Sequence, residues 1–261
     1  MCQLLGMNCN VPTDICFSFQ GFCARGGKTD QHQDGWGIAF FEGCGCRMYL
    51  DNKASIHSPV AELVRKYPIH STHVIAHIRK ASVGKVAIEN THPYQREMWG
   101  RYWVFAHNGD LADFHPAFRG HFRPVGGTDS EKAFCLILET LREAFPLGKP
   151  SLSELHSELL KITKQIAESG PFNYLLSDGE SFFAHCSTNL AYLVRQAPFS
   201  AAHLVDEDVS VDFQGVTSEQ DRVAIIATAP LTDNEAWTRF FPGQLIAFQD
   251  GQPFKSNIPA A

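Results

Sequence analysis

Met1-Cys2-Gln3-Leu4-Leu5-Gly6-Met7-Asn8 is the stretch on which the reading of this chain turns. From Gln3 onward it is strand-like, and the residue in front of the strand is a cysteine directly behind Met1. Cysteine is small enough for an aminopeptidase to remove the methionine. That leaves one residue carrying both a thiol and a free α-amine. Such an amine, with a reference pKa of about 7.7–8.0, is partly neutral near pH 7 and can take the proton of its own thiol. Taken alone, Cys2 reads first as a small apolar residue opening a strand, and only second as a nucleophile. The segments downstream separate the two readings.

Composition sets the frame. The chain has 261 residues, 44% hydrophobic and 19% charged, with a net charge of −6 and a pI of about 6.0. These values describe an ordinary soluble globular protein with enough chain for a substantial core. The basic residues are scattered, so no nucleic-acid footprint is expected. No apolar run reaches the roughly 20 residues of a membrane span. The start has neither the basic nor the apolar region of a secretory leader, and the expected location is cytoplasmic. Eight cysteines are present, read as reduced thiols. Cys2, Cys9, Cys16 and Cys23 stand seven apart, but Cys2 falls in a strand-like segment and Cys16 and Cys23 in a helix opened by Pro12-Thr13-Asp14. One periodicity cannot span both, so the spacing is not a repeat. Cys44-Gly45-Cys46 reads as a hairpin turn between strands at 38–41 and 47–50. It has no second Cys/His pair at zinc spacing, so neither a metal nor a cofactor is expected. With no linker and no internal repeat, residues 1–261 are expected to form a single domain.

Strand-like runs fill the first third, at 3–8, 37–41, 47–50, 73–79 and 101–107. Thr128-Asp129-Ser130-Glu131 then reads as a capping box. Ala133, Phe134, Ile137, Leu138, Leu141 and Phe145 follow it at helical spacing. A second helix starts at Ser151, with Glu154 three residues on. It carries Leu152, Leu155, Leu159, Ile162 and Ile166 on one stripe and stops at Gly170-Pro171. Strands return at 173–177, 181–186, 191–195, 223–229 and 244–249, with hairpin turns at Asp178-Gly179 and Asp250-Gly251. This order predicts an α+β fold of two sheets with helices on their outer faces.

Four further segments combine with Cys2: the Gln33-Asp34-Gly35-Trp36-Gly37 run, Arg79 within His77-Ile78-Arg79-Lys80-Ala81-Ser82, the triplet His107-Asn108-Gly109, and Gly127-Thr128-Asp129-Ser130-Glu131 at a helix start. Asn90-Thr91-His92-Pro93 and Ala229-Pro230-Leu231-Thr232 add to them. Together they make the chain resemble the class II glutamine amidotransferases of the N-terminal-nucleophile hydrolase superfamily. The resemblance covers nearly the whole chain. It is greatest to the stand-alone YafJ-like branch, related to γ-glutamyl hydrolases of ergothioneine synthesis and to glutathione-degrading subunits.

The resemblance implies a four-layer αββα sandwich of two antiparallel sheets and a role for each motif. Cys2 would attack the γ-carbonyl of a glutamine-like substrate, with its own amine as base. Asn108 and Gly109 would donate to the oxyanion; their other reading is a hairpin turn. Arg79 would grip the substrate α-carboxylate, or else be a solvated strand-end arginine. Asp129 would bind the α-ammonium, or else answer the helix dipole. His92 is expected to line the pocket, His107 to support it, and Trp36 to pack. The small-molecule substrate would be glutamine, with ammonia delivered to a synthase partner. The alternatives are a larger γ-glutamyl compound, cleaved alone or with a peptidase subunit, and an inactive glutamine-binding homologue. A bile-salt-hydrolase-type amidase would share the cysteine without needing Arg79 and Asp129.

Overall fold

The structure is a computed structural model that describes residues 2–81, 84–215 and 217–257. Met1 and Ser82, which the sequence reading invoked, lie outside the described residues.

A seven-stranded antiparallel sheet has the order β13-β9-β12-β1-β4-β2-β3. Its strands are β1 (Gln3–Thr13), β2 (Trp36–Glu42), β3 (Gly45–Asp51), β4 (Ser71–Ile78), β9 (Ala191–Gln196), β12 (Arg222–Ala227) and β13 (Thr238–Arg239). A six-stranded antiparallel sheet has the order β15-β14-β8-β7-β6-β5. It comprises β5 (Tyr94–Met98), β6 (Arg101–Gly109), β7 (Phe172–Ser177), β8 (Phe182–Cys186), β14 (Gln244–Gln249) and β15 (Gln252–Ser256). The short β10 (Ala201–His203) and β11 (Ser210–Asp212) pair with each other. The helices are α1 (Cys16–Ala24), α2 (Pro59–Lys66), α3 (Asp129–Ala144) and α4 (Leu152–Ala167).

The period-2 pattern of β1 sorts the layers. Leu5, Met7 and Cys9 face outward and pack with Ile15, Phe19 and Phe22 of the α1 region and Ala61 and Val64 of α2. Leu4 faces inward, in a cluster with Ala39 and Ile75 of its own sheet and Val104, Leu175 and Phe182 of the other. A third cluster joins Phe134, Leu138, Leu155 and Leu159 of α3 and α4 to Phe105, Tyr174 and Phe183 of the six-stranded sheet. The result is an αββα sandwich. Gly6 lies directly against the other sheet: a Cβ there would lie 2.6 Å from Phe182 Cζ. Asn8 ties the sheets together, its Nδ2 3.0 Å from His73 Nε2 and its Oδ1 accepting from the Gly251 amide at 2.9 Å.

Several elements differ from the sequence reading. Asn108-Gly109 is not a turn; both residues are in β6, opposite Asn173 and Phe172 of β7. β1 runs on through Pro12-Thr13, so α1 starts later, with Asp14 Oδ1 accepting from the Cys16 amide at 3.0 Å. Only half of the box at Thr128 forms. Its hydroxyl accepts from the Glu131 amide, while Glu131 instead holds the Val125 and Gly126 amides. Ser151 and Glu154 make the full reciprocal box. The sequence reading passed over α2 and β5. Ser58-Pro59 gives α2 an N-cap and a proline at its first turn. In β5, Gln95-Arg96-Glu97 masks the buried ends Tyr94 and Met98.

Candidate active site

β1 and β4 are antiparallel neighbours, so the start of one meets the end of the other. Gln3 pairs with Ile78 and Leu4 with His77. This register brings Cys2 against Lys80: Cys2 Sγ lies 3.3 Å from the Lys80 amide nitrogen and 3.4 Å from its carbonyl oxygen. Burial pushes the Cys2 thiol pKa up; the Lys80 backbone and the Arg79 charge pull it down, and the Asp129 charge raises it. A thiol so placed needs a base to become a nucleophile. Among the described residues no histidine hydrogen-bonds it.

Arg79 follows β4 directly. Its amide donates to the Gly35 carbonyl at 2.8 Å and its carbonyl accepts from the Asp34 amide at 3.1 Å. Asp34 Oδ2 also takes the Ala81 amide at 2.8 Å. The Asp34–Gly37 run is therefore a frame for the Arg79 backbone. Gly35 is needed in it, with φ of +118° and the Asp51 carbonyl 3.0 Å from where a Cβ would be. The guanidinium is not solvated: Arg79 is 3% exposed and donates to the Lys85 and Gly84 carbonyls at 3.0 and 3.4 Å.

Asp129 is the first residue of α3, 9% exposed. Its Oδ2 accepts from the Leu111 amide at 2.7 Å and its Oδ1 from the Ser130 amide at 2.9 Å. A carboxylate has about four acceptor positions, so capacity for a cation remains.

His77, His92 and His107 are buried. His107 Nε2 faces the Pro171 carbonyl at 3.2 Å, which can only accept, so Nε2 carries the proton. Nδ1 then accepts from the Ser130 hydroxyl at 2.8 Å. His107 thus pins the start of α3 to the end of β6. Burial lowers its pKa, and lowers His77 to about 3 and His92 well below the ordinary value. The His77 and His92 rings lie 4.2 Å apart and His92 lies 4.5 Å from Tyr94. His92 was expected to line a pocket, yet it is 4% exposed and neither ring nitrogen has a hydrogen-bond partner among the described residues. Trp36 packs on Phe19 at 5.8 Å.

Asn108 and Gly109 end β6. The Asn108 carbonyl accepts from Asn173 Nδ2 at 2.8 Å, while its side-chain Oδ1 is buried without a partner. A Cβ at Gly109 would collide with the Pro171 carbonyl oxygen, so only glycine fits. Asn173, bonded to Asn108, and Thr228, bonded to Leu4, escaped the sequence reading, and Ser130 was quoted there only within its motif, without its bond to His107. Asn173 had a signal, being the polar residue inside the apolar run Phe172–Ser177.

The sequence model described as "Glutamine amidotransferases class-II" matches residues 1–260. The chain belongs to the class-II glutamine amidotransferases. YafJ of Escherichia coli (strain K12) is 50% identical over 252 residues, 97% of this amidotransferase chain and 99% of YafJ. A Haemophilus influenzae relative is 53% identical, across 99% of this chain and 87% of its own. The crystal structure of a "predicted glutamine amidotransferase" from Pseudomonas aeruginosa PA01 superposes with a TM-score of 0.78 at 44% identity, covering 97% of this chain and 99% of that one. Glutamine phosphoribosylpyrophosphate amidotransferase from B. subtilis shares the fold alone, with a TM-score of 0.50 at 14% identity. It covers 98% of this chain and 48% of that one. The fold is of the N-terminal-nucleophile hydrolase type. No helix among the described residues is long and apolar enough to cross a membrane.

Proposed function

We propose that this amidotransferase cleaves the γ-amide of glutamine through Cys2, after removal of Met1, releasing glutamate and ammonia. The observation that carries the reading is the meeting of Cys2 with the backbone of Lys80, next to Arg79, at the paired ends of β1 and β4. A second supports it. The nearby histidines are buried, neutral and off the thiol, which leaves the α-amine of Cys2 as the base.

The steps follow from the groups present. The amine takes the thiol proton, and sulfur attacks the γ-carbonyl carbon. Charge developing on the carbonyl oxygen is met by the Asn108 side-chain amide and the Gly109 backbone N–H, and a lost donor of this kind costs about 10²–10³ in kcat in other enzymes. The C–N bond breaks as the α-ammonium returns its proton to the leaving amine, giving a γ-glutamyl thioester. Water, deprotonated by the same amine, hydrolyses the thioester and restores the thiol. Arg79 supplies a bidentate fork for the α-carboxylate, and Asp129 an acceptor for the α-ammonium. The nitrogen acceptor, a synthase subunit, belongs to the same proposal.

The test is glutamate release from glutamine by protein shown by intact mass to lack Met1, with labelling by an electrophilic glutamine analogue. Turnover lost in Cys2→Ser, with the label on Cys2, is the expected result. Label concentrated on the exposed Cys44, or full turnover by protein that uniformly retains Met1, overturns the reading.

A further inference from the structure

The outer face of the seven-stranded sheet holds a cavity of about 320 Å³. Its floor is Met7 of β1 with Val223 and Ile225 of β12, three members of the outward-facing apolar cluster. Phe17 of α1, Phe199 and Phe213 stand in its walls. The Phe17 and Phe213 rings meet edge to face, with centroids 5.8 Å apart. Sites for small molecules run from about 300 to 1,000 Å³ and are mostly apolar, with a few placed polar groups. Met7 follows Cys2 along β1 at a distance of roughly 17 Å, at about 3.3 Å per residue. The cavity is therefore distinct from the thioester centre.

The charges around this space are uneven. Asp14 and Asp221 line it, and neither makes an ion pair with any described residue. Both are held by neutral donors. Asp14 Oδ1 accepts from the Cys16 amide at 3.0 Å, and Asp221 accepts from the Ser218 amide at 3.0 Å and its hydroxyl at 2.6 Å. Arg195 also lines the cavity, but its charge is already answered. Its Nε and Nη2 donate to the two Glu235 carboxylate oxygens at 2.8 and 2.7 Å, and its Cζ lies 4.5 Å from the Phe213 ring centroid. Glu235 itself lines a neighbouring cavity of about 210 Å³. His70, the other basic side chain of the lining, is exposed. Two carboxylates thus face the cavity without a cation to match them.

We propose that this cavity is a second binding site, separate from the thioester centre, and that its ligand is a small aromatic amine. The apolar floor and the aromatic walls favour a ring, packed edge to face or offset against Phe17 and Phe213. Asp14 and Asp221 favour an ammonium on that ring's side chain, and the phenyl faces add attraction for a cation. An anionic ligand of the same shape is repelled by both carboxylates. Arg195 does not offset that repulsion, because turning to the ligand would strip the partly buried Glu235 of its partner. The site is independent of the amide chemistry, since the ligand is held without any covalent step.

The probe is tryptamine, with indole-3-propionate as its anionic counterpart, titrated at about pH 8, above the reference imidazole value of about 6.5. Binding to the full chain is followed by calorimetry and by NMR of carbon-13-labelled Met and Ile methyl groups. Tryptamine should shift the Met7 and Ile225 methyls and bind at least about tenfold more tightly than indole-3-propionate. The preference should fall toward one in the double variant Asp14→Asn, Asp221→Asn. Binding should vanish in Val211→Trp, which fills the space, and should persist in Cys2→Ser, so that the site stands or falls apart from the thioester reading. Equal affinities for the two probes, a preference unmoved in the double variant, or no shift at Met7 and Ile225 at millimolar tryptamine overturns the proposal. So does binding that is lost in Cys2→Ser or unchanged in folded Val211→Trp. Should a melting curve show Val211→Trp to be unfolded, the methyl shifts of the parent decide.

Discussion

Arg79 and Asp129 carry opposite charges from different parts of the chain, and both act on the Cys2 thiol electrostatically, in opposite directions. Neither is a loose surface group. Arg79 is held by two backbone carbonyls and Asp129 by two amides. Such preorganisation favours tight reading of a zwitterion, because little side-chain order is lost on binding. Charged hydrogen bonds are typically worth about 1.5–3 kcal/mol each, or about 10- to 150-fold in affinity. Arg79→Met and Asp129→Asn should each lower kcat/KM for glutamine by such a factor while Cys2 still reacts with a small neutral alkylating agent. A desamino amide should be poor for the parent and lose little more in Asp129→Asn. Steady-state kinetics on both amides checks this, and equal use of the two by the parent would show that no amino-acid clamp exists. The roles of these two residues came from motif likeness. Their rigidity could not be read there, since the side chains are held by Leu111, Lys85 and Gly84, none of which carries a motif.

At the scale of elements, α3 organises one side of the site. Thr128 caps it, Asp129 opens it and Ser130 meets His107. Further along, Glu139 gathers the Arg119, Gly120, His121 and Phe122 amides at 2.7, 2.9, 3.0 and 3.2 Å. Burial opposes its charge, but the four amides together prevail and hold its pKa below the ordinary carboxylate value. A depressed folded pKa means stability that is present above the unfolded value and lost as pH falls through the folded one. Glu139→Gln should therefore cost about 1.5–3 kcal/mol at pH 7 and flatten the melting curve's pH dependence below about pH 4.5. Thermal melts of both proteins from pH 7 to 3 check it, and parallel curves would refute the role. The helix itself was legible, because its cap and apolar stripe are local. The docking of 119–122 was not, because a lone glutamate on a helix face reads as solvated until the loop is folded over it.

For the whole molecule, the sandwich buries neutral histidines in and between its layers. Burial lowers His73 to about 4, His77 to about 3 and His185 to about 4. The unfolded chain binds protons at these sites below the reference value of about 6.5, and the folded chain does not. Stability is then present above pH 6.5 and lost progressively as pH falls toward 4, at up to about 1.4 kcal/mol per pH unit for each histidine. The melting temperature should start to drop near pH 6.5, well above the carboxylate range. A melting temperature flat from pH 7 to 5 would contradict the burial of these rings.

The sequence alone determined the pieces whose signals are local. Apolar runs, capping residues and hairpin turns gave most of the strands of both sheets, α3, α4 and the two-sheet architecture, and the spaced motifs gave the family. Tertiary structure decided what depends on register. Antiparallel pairing of β1 with β4 brings Cys2 to Lys80, 78 residues away. Pairing of β6 with β7 turned Asn108-Gly109 from an apparent turn into a strand end. Packing of the layers buried His92. The division has one physical cause. Local propensity acts over a few residues, whereas burial and charge pairing are fixed only when distant segments are brought together.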